Sequence, residues 1–126
     1  MNIAALIARI LLGLVFVAAG ASGFYLFNHP PPAPPGLAGQ FQEVFFKSGW
    51  VLFVDGVELV SGALLLANRY VPLALTMLGA IIANILVFHF TIMHAGTPIA
   101  LALAACWMLV AYRFRASFAP LLAAKA

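Results

Sequence analysis

Four long apolar stretches, separated by short polar or proline-rich segments, dominate this sequence of 126 residues. They cover 3–27, 50–67, 70–93 and 98–115, and their lengths lie near the roughly 20 residues that a helix needs to cross a bilayer. Because the hydrocarbon core holds no water, such a stretch must satisfy its own backbone hydrogen bonds, which a helix does. The sequence therefore predicts an all-α membrane protein with four transmembrane helices in a single transmembrane domain over 1–126.

The composition excludes several other classes of protein. Hydrophobic residues make up 66% of the chain and charged residues only 7%, whereas soluble domains have about 25% charged residues. The net charge of +3 comes from basic residues near the ends of the apolar stretches, so nothing favours nucleic-acid binding. The single cysteine, Cys106, excludes an internal disulfide, and its apolar surroundings favour a small buried side chain over a reactive thiol.

One connection between the apolar stretches is long, and it covers 28–48. It opens with a proline-rich run, which cannot be α-helical because proline lacks the amide hydrogen and clashes with the preceding turn. We expect this run to lie along the outer membrane surface as extended chain. Within 40–47, Phe41, Val44 and Phe45 share one helical face, which predicts a short interfacial helix folded over the bundle as a lid.

Short turns near 68–69 and 94–98 make consecutive stretches antiparallel neighbours, which predicts an up-down-up-down bundle. Both termini then share one side with the first of these turns, and that side carries most of the basic residues. The positive-inside rule places it in the cytoplasm. A cleaved signal peptide ending at Ala21 is disfavoured, because the first stretch continues to Phe27 and its basic residue, Arg9, lies nine positions in.

Two of the three carboxylates in the chain, Asp55 and Glu58, lie within the second apolar stretch. An acid inside a membrane span is costly, so it marks a candidate functional site. Their spacing of three residues places both on one helical face. Counted from Trp50, Glu58 lies roughly 12 Å below the outer surface. Asp55 is shallower, and we expect it nearer a solvated outer rim.

Polar residues of two other stretches are expected at similar depth. In the third stretch, His89 and Asn84 lie roughly 7 Å and 15 Å below the outer surface, and Ser22 lies in the outer half of the first. Asn84 and His89 diverge by roughly 140° around a helix, so Glu58 lies between them or bonds to one of them. The ligand-binding or proton-handling candidates are thus Glu58, Asn84, His89, Asp55 and Ser22, and the alternative is that they only hydrogen-bond helices together.

No metal site is predicted, and no catalytic residue can be assigned. Carboxylates with imidazoles suit iron, zinc or manganese, but the sequence lacks the Glu-x-x-His pairs of di-iron bundles, an HExxH motif and any Cys/His cluster. A phosphate-binding loop, a dinucleotide fingerprint and a nucleophile triad are also missing from it. The motifs therefore point to no bound cofactor.

The order of glycine, aromatic and polar residues resembles that of the DoxX-like (DoxX/DoxD) family of small four-helix membrane proteins. The resemblance covers nearly the whole chain and rests on these segments: GLVF at 13–16, GASGF at 20–24, GVE at 56–58, GALLL at 62–66, RYVPLAL at 69–75 and IIANILVFH at 81–89. One position departs from the family pattern. Where a basic residue usually follows the glycine of the first helix, this chain has Gly23, Phe24 and Tyr25, so the role of that basic residue does not transfer.

The resemblance implies a multi-pass protein of a bacterial-type inner membrane. Some family members are linked to redox-stress defence, and a DoxD-type subunit belongs to a thiosulfate:quinone oxidoreductase. By resemblance, Glu58, Asn84 and His89 are candidate site residues. We expect a redox-associated protein whose outer-half pocket binds a quinone headgroup or a small polar ligand, and any enzymatic role is at most that of a subunit in a quinone-linked oxidoreductase.

The alternatives are a non-enzymatic membrane scaffold or assembly partner and, less favoured, a small-solute carrier. The carrier is less favoured because the chain has only four apolar stretches and no pair of broken helices. In each case the expected partners are the lipid bilayer and either another protein or further copies of this chain.

Overall fold

The computed structural model describes residues 2–125, and this part of the chain is helical without a strand. Two short helices, α2 (Leu37–Lys47) and α6 (Arg115–Phe118), accompany four that are long and apolar enough to cross a membrane. These four are α1 (Ile3–Asn28), α3 (Trp50–Ala67), α4 (Val71–Thr91) and α5 (Thr97–Arg113), with 3-10 turns at His94–Gly96 and Ala119–Leu122. The prediction of an all-α membrane protein with four spanning helices is confirmed.

The helix ends follow from local chemistry. The Asn2 side chain accepts a hydrogen bond from the Ala5 amide at 2.8 Å and so caps the start of α1. Pro72 lies in the first turn of α4, where a backbone N–H has no intrahelical partner to lose. Between α3 and α4, Asn68 and Tyr70 adopt left-handed conformations with φ of 54° and 50°, which reverses the chain within three residues.

Glycines bring the backbones of α1 and α3 into direct contact. A Cβ on Gly20 would lie 2.6 Å from the Asp55 carbonyl oxygen and 2.8 Å from the Leu59 amide nitrogen. At the other end, a Cβ on Gly62 would lie 2.9 Å from the Gly13 carbonyl oxygen. The start of α1 thus faces the end of α3, so this pair is antiparallel. Such close approach favours helix association in lipid, where packing replaces the hydrophobic effect between helices.

The four long helices form a ring in which α1 contacts α3 and α5, and α4 contacts the same two helices. The side chains packed at its centre with almost no exposed surface are Leu12, Phe16, Leu65, Leu75, Leu78 and Val110. α5 is fastened to α4 by Trp107, whose ring nitrogen donates to the Leu75 carbonyl oxygen at 2.8 Å. This core holds the positions of α3 and α4, which carry the candidate site.

A short helix lies where the sequence predicts one, although α2 begins at Leu37 rather than at 40. It lies between two glycines with positive φ, Gly36 at 76° and Gly49 at 80°, a conformation that glycine adopts without steric cost. The Phe41 ring of α2 lies 5.0 Å from the Phe88 ring of α4. α2 is therefore folded back against the bundle, over the gap between α3 and α4.

Candidate functional site

A cleft of about 560 Å³ lies between α2, α3 and α4. Its lining is mostly aromatic and aliphatic, with few polar groups, which is typical of small-molecule sites. The residues that line it are Phe41, Phe45, Trp50, Phe53, Val54, Asp55, Glu58, Ala80, Ile81, Asn84, Ile85, Val87, Phe88, Thr91 and Ile92. Three of the five sequence-predicted site residues, Asp55, Glu58 and Asn84, are among them.

Asp55 and Glu58 lie together at the inner end of this cleft. Only 8% of Asp55 and 7% of Glu58 is exposed, and their carboxyl groups lie close enough to interact with each other. Two ionised carboxylates repel each other at close range and only accept hydrogen bonds, so a proton on one of the two groups would relieve the repulsion and let that group donate to the other. The prediction that Asp55 lies apart from Glu58, at a solvated outer rim, is therefore wrong.

The reason for this burial is α1. Gly23 lies so close to Asp55 that a Cβ on it would overlap the carboxylate oxygen Oδ2. Because α1 continues to Asn28, it passes the level of Asp55 and covers it on the side away from the cleft. The depth of Asp55, estimated by counting residues along α3, does not show that α1 shields its side chain, because α1 is a separate helix.

Asn84 lines the cleft from α4, but it does not bond to Glu58. Its side chain is exposed, and its amide nitrogen donates to the Ala80 carbonyl oxygen of its own helix at 2.9 Å. The sequence suggested a hydrogen bond between Asn84 and Glu58 that would hold two helices together. The described part of the chain contains no such bond. Asn84 instead places a carboxamide at the margin of the cleft.

His89 lies outside the lining of the cleft, contrary to the prediction that it shares a site with Glu58. Its Nδ1 is 2.9 Å from the Met93 carbonyl oxygen, and its own carbonyl accepts from the Thr97 hydroxyl at 3.1 Å. Its ring also fills the space beside Gly96. His89 therefore holds the turn between α4 and α5. The rotation of roughly 140° from Asn84 is what carries it away from the cleft.

Ser22 is exposed on the membrane-facing side of α1 and does not join the other polar residues. The next residue, Gly23, is the buried one. One residue corresponds to about 100° of rotation around a helix, so the two point in different directions. The prediction that Ser22 contributes to the site is not supported by its position, and α1 contributes close backbone contact instead.

The aromatic walls of the cleft are the part of the site that sequence reasoning missed. Phe45 and Trp50 pack with ring centroids 5.7 Å apart, and Phe41 lies 6.4 Å from Trp50 and 5.0 Å from Phe88. The apolar face of 40–47 was the available signal. It predicted a helix that lies over the bundle, but not which gap between helices it covers.

Arg9 is a third buried ionisable group, and it lies outside the cleft lining. It is 7% exposed, and its guanidinium donates a hydrogen bond to the Leu65 carbonyl oxygen near the end of α3. The last carbonyls of a helix lack partners in that helix and carry the negative end of its dipole, so a cation there is favourable. Arg9 thus links α1 to α3 and also belongs to the basic side of the bundle.

Among residues 2–125, no group of three or more His, Cys, Asp or Glu side chains is placed to hold a metal ion. Cys106 is a half-buried free thiol of α5. The cleft thus offers carboxyl, carboxamide and aromatic groups for its chemistry.

The comparison with protein families agrees with this arrangement. The DoxX family model matches residues 4–95, which contain α1 apart from its first residue, all of α2, α3 and α4, and therefore every residue that lines the cleft. Neither the comparison with curated proteins nor that with solved structures produced a match. The match covers well over half of the chain and confirms the resemblance seen in its motifs, so the protein belongs to the DoxX family and is a multi-pass membrane protein with four apolar helices.

Proposed function

We propose that the protein is a redox-associated membrane subunit. Its cleft binds a quinone headgroup, or a small polar ligand of similar size, and exchanges a proton with it through Asp55 and Glu58. The observation that supports this most directly is the pair of neighbouring, buried carboxyl groups at the inner end of an aromatic cleft.

The acid pair suits a ligand that carries a carbonyl or hydroxyl oxygen. A protonated carboxyl group donates a hydrogen bond to a carbonyl, and an ionised one accepts a hydrogen bond from a hydroxyl. A pair that holds one proton offers both at once. No basic side chain lines the cleft within the described residues, so a bound ligand would compete with no internal cation for these groups. Proton transfer at this position is the general acid–base role that carboxyl groups perform in other proteins.

The aromatic walls suit a planar ring. Phe41, Phe45, Trp50 and Phe88 surround the outer part of the cleft, and aromatic rings pack on one another in offset or edge-to-face arrangements. A volume of about 560 Å³ accommodates one substituted ring. The expected pose places the ring among these side chains and one of its oxygens at Glu58.

The protein is proposed to be a subunit because quinone chemistry needs a source of electrons. Reduction of a quinone consumes electrons as well as protons, and the sequence contains no motif for an electron carrier. We therefore infer that a partner redox protein supplies or removes the electrons, while this chain binds the ligand and handles the proton.

The double variant Asp55→Asn/Glu58→Gln tests this function, since it keeps the shapes of both side chains and removes both titratable protons. We expect binding of a short-tailed benzoquinone to the purified protein to weaken about tenfold, because an amide is a weaker hydrogen-bond donor to a quinone carbonyl than a protonated carboxyl group is. Affinity of the unaltered protein should change with pH, and that of the double variant should not. Fluorescence quenching of Trp50 at the cleft is a suitable readout.

Ser22→Ala is the matched control, because this polar side chain of the outer half faces the membrane. Its affinity should equal that of the unaltered protein. If the double variant binds as tightly as the unaltered protein at every pH, the acid pair has no part in ligand binding.

A scaffold or assembly partner is the second candidate. It is favoured by the internal pairing of the buried polar groups, since Asp55 lies against Glu58 and Arg9 donates a hydrogen bond to the Leu65 carbonyl oxygen. On this interpretation the same double variant lowers the melting temperature in detergent, and quinone binding is undetectable in every variant.

We further propose a bacterial-type inner membrane with cytoplasmic termini. The side of the bundle opposite the termini carries Lys47, whose charge is neutralised by Glu43 at 2.7 Å. The side with the termini carries Arg69 and Arg113, and the sequence has no acidic residue after Glu58 that could offset their charges. In a Cys106→Ala background, an impermeant maleimide added to intact cells should label Lys47→Cys and spare Arg69→Cys. The reverse labelling pattern would invert this orientation.

A further inference from the structure

We propose that the cleft opens sideways into the bilayer and takes a membrane-dissolved amphiphile. Its polar ring or head reaches Asp55 and Glu58, and its hydrocarbon tail leaves between α3 and α4. This inference rests on the proposed function and narrows its ligand from any small polar compound to one with a tail.

The first support is the exposure of the residues at the side of the cleft. Phe53 of α3 is 71% exposed and Val87 of α4 is 59% exposed, yet both line the cleft. Asn84 and Thr91 are likewise exposed lining residues of α4. Because these residues belong to spanning helices, the exposed surface faces lipid, and the opening between Phe53 and Val87 leads into the membrane.

The second support is the covering of the other sides. On the outer side, Phe41 of α2 packs against Phe88 and Trp50, which places a layer of aromatic rings between the cleft and the outer surface. On the far side, α1 lies directly against Asp55 through Gly23. A water-soluble ligand would have to displace the aromatic layer, whereas a ligand dissolved in lipid meets the opening from the membrane.

The third support is the change in polarity along the cleft. Its inner end carries the two buried carboxyl groups, and its opening is flanked by the apolar side chains of Phe53 and Val87 with the Asn84 carboxamide nearby. An amphiphile matches both ends, because its head pairs with the buried polar groups and its tail stays in the hydrocarbon. A fully polar ligand would leave the apolar opening unmatched.

A bulky residue at the opening tests this inference. Val87→Trp should weaken binding of a decyl-tailed benzoquinone about tenfold by blocking the path of the tail, while binding of the same ring without a tail changes less than twofold. Leu101→Trp is the matched control, because Leu101 is 50% exposed on α5 and outside the cleft lining. It should leave both affinities unchanged. Affinities are measured in nanodiscs and referred to the ligand concentration in the lipid phase, so that partitioning of the tail does not count as binding.

The outcomes separate this inference from the proposed function. If the tailless and tailed rings bind equally, depend equally on Asp55 and Glu58, and ignore Val87→Trp, sideways access is overturned and the proposed function stands. If neither ring binds the unaltered protein, the proposed function fails, and this inference fails with it. Selective loss of the tailed ligand in Val87→Trp supports both.

Discussion

Gly20→Leu is expected to lower the free energy of unfolding by about 3 kcal/mol, near the upper end for overpacking a buried site. A Cβ at this position already falls 2.6 Å from the Asp55 carbonyl oxygen and 2.8 Å from the Leu59 amide nitrogen. These are backbone atoms of α3, which cannot rotate aside as a flexible side chain can. The two helices must separate, and the packing between them is lost well beyond the substituted residue.

Gly56→Leu is the control for this prediction. Gly56 also lies in a spanning helix, but its Cβ would meet only the tip of the Phe24 ring, at 3.9 Å. We expect a change within about 0.5 kcal/mol, because leucine has the better helix propensity and the position has space. Thermal unfolding of both variants in one detergent, followed by circular dichroism, gives the comparison. Equal destabilisation would contradict the close contact of α1 with α3.

Gly20→Leu should also disturb the cleft, because the clash is with the backbone of Asp55 itself. Ligand affinity should fall together with stability in this variant. In Gly56→Leu neither should change.

The second large effect is expected from Leu12→Ala, at a cost of about 2 kcal/mol of stability. Leu12 is completely buried among the central side chains of the bundle. Its truncation leaves a cavity, and the atoms around that cavity lose their dispersion contacts. Leu14→Ala, on the same helix but 53% exposed, should cost less than about 0.5 kcal/mol.

This pair isolates packing from the hydrophobic effect. In a membrane, both leucines lie in apolar surroundings before and after the helices associate, so transfer from water contributes to neither difference. Reversible unfolding in mixed micelles measures both free energies. Similar losses in Leu12→Ala and Leu14→Ala would mean that the inward face of α1 is not the one described above.

The spanning helices were predictable from the sequence because their cause is local. A long apolar stretch in lipid must satisfy its backbone within itself, so its length sets the helix. α3 covers Trp50–Ala67, the same residues as the predicted stretch at 50–67. α4, the third spanning helix, ends at Thr91 rather than at the predicted residue 93. The turn that leads to α5 begins there. Helix ends depend on such turn contacts, which are less regular than the apolar pattern.

The candidate site was predictable in part. The spacing of Asp55 and Glu58 predicts that they share one face of α3, and the chain direction of α4 predicts that Asn84 lies at a similar depth. The rotational position of each side chain around its helix axis is what the sequence does not predict reliably. Ser22 differs from the buried Gly23 by one residue, and that single step turns a side chain from the protein interior to the lipid.

The spanning helices, the family and the shared face of the two acids follow from the amino-acid sequence, because each depends on local hydrophobicity, motif or spacing. Three other features emerge from the packing of the helices: α1 buries Asp55 through Gly20 and Gly23, His89 supports a turn, and α2 covers the gap between α3 and α4. These features depend on which faces of separate helices meet. In lipid that choice is made by close packing between distant parts of the chain, and the hydrophobic pattern of each helix alone does not encode it.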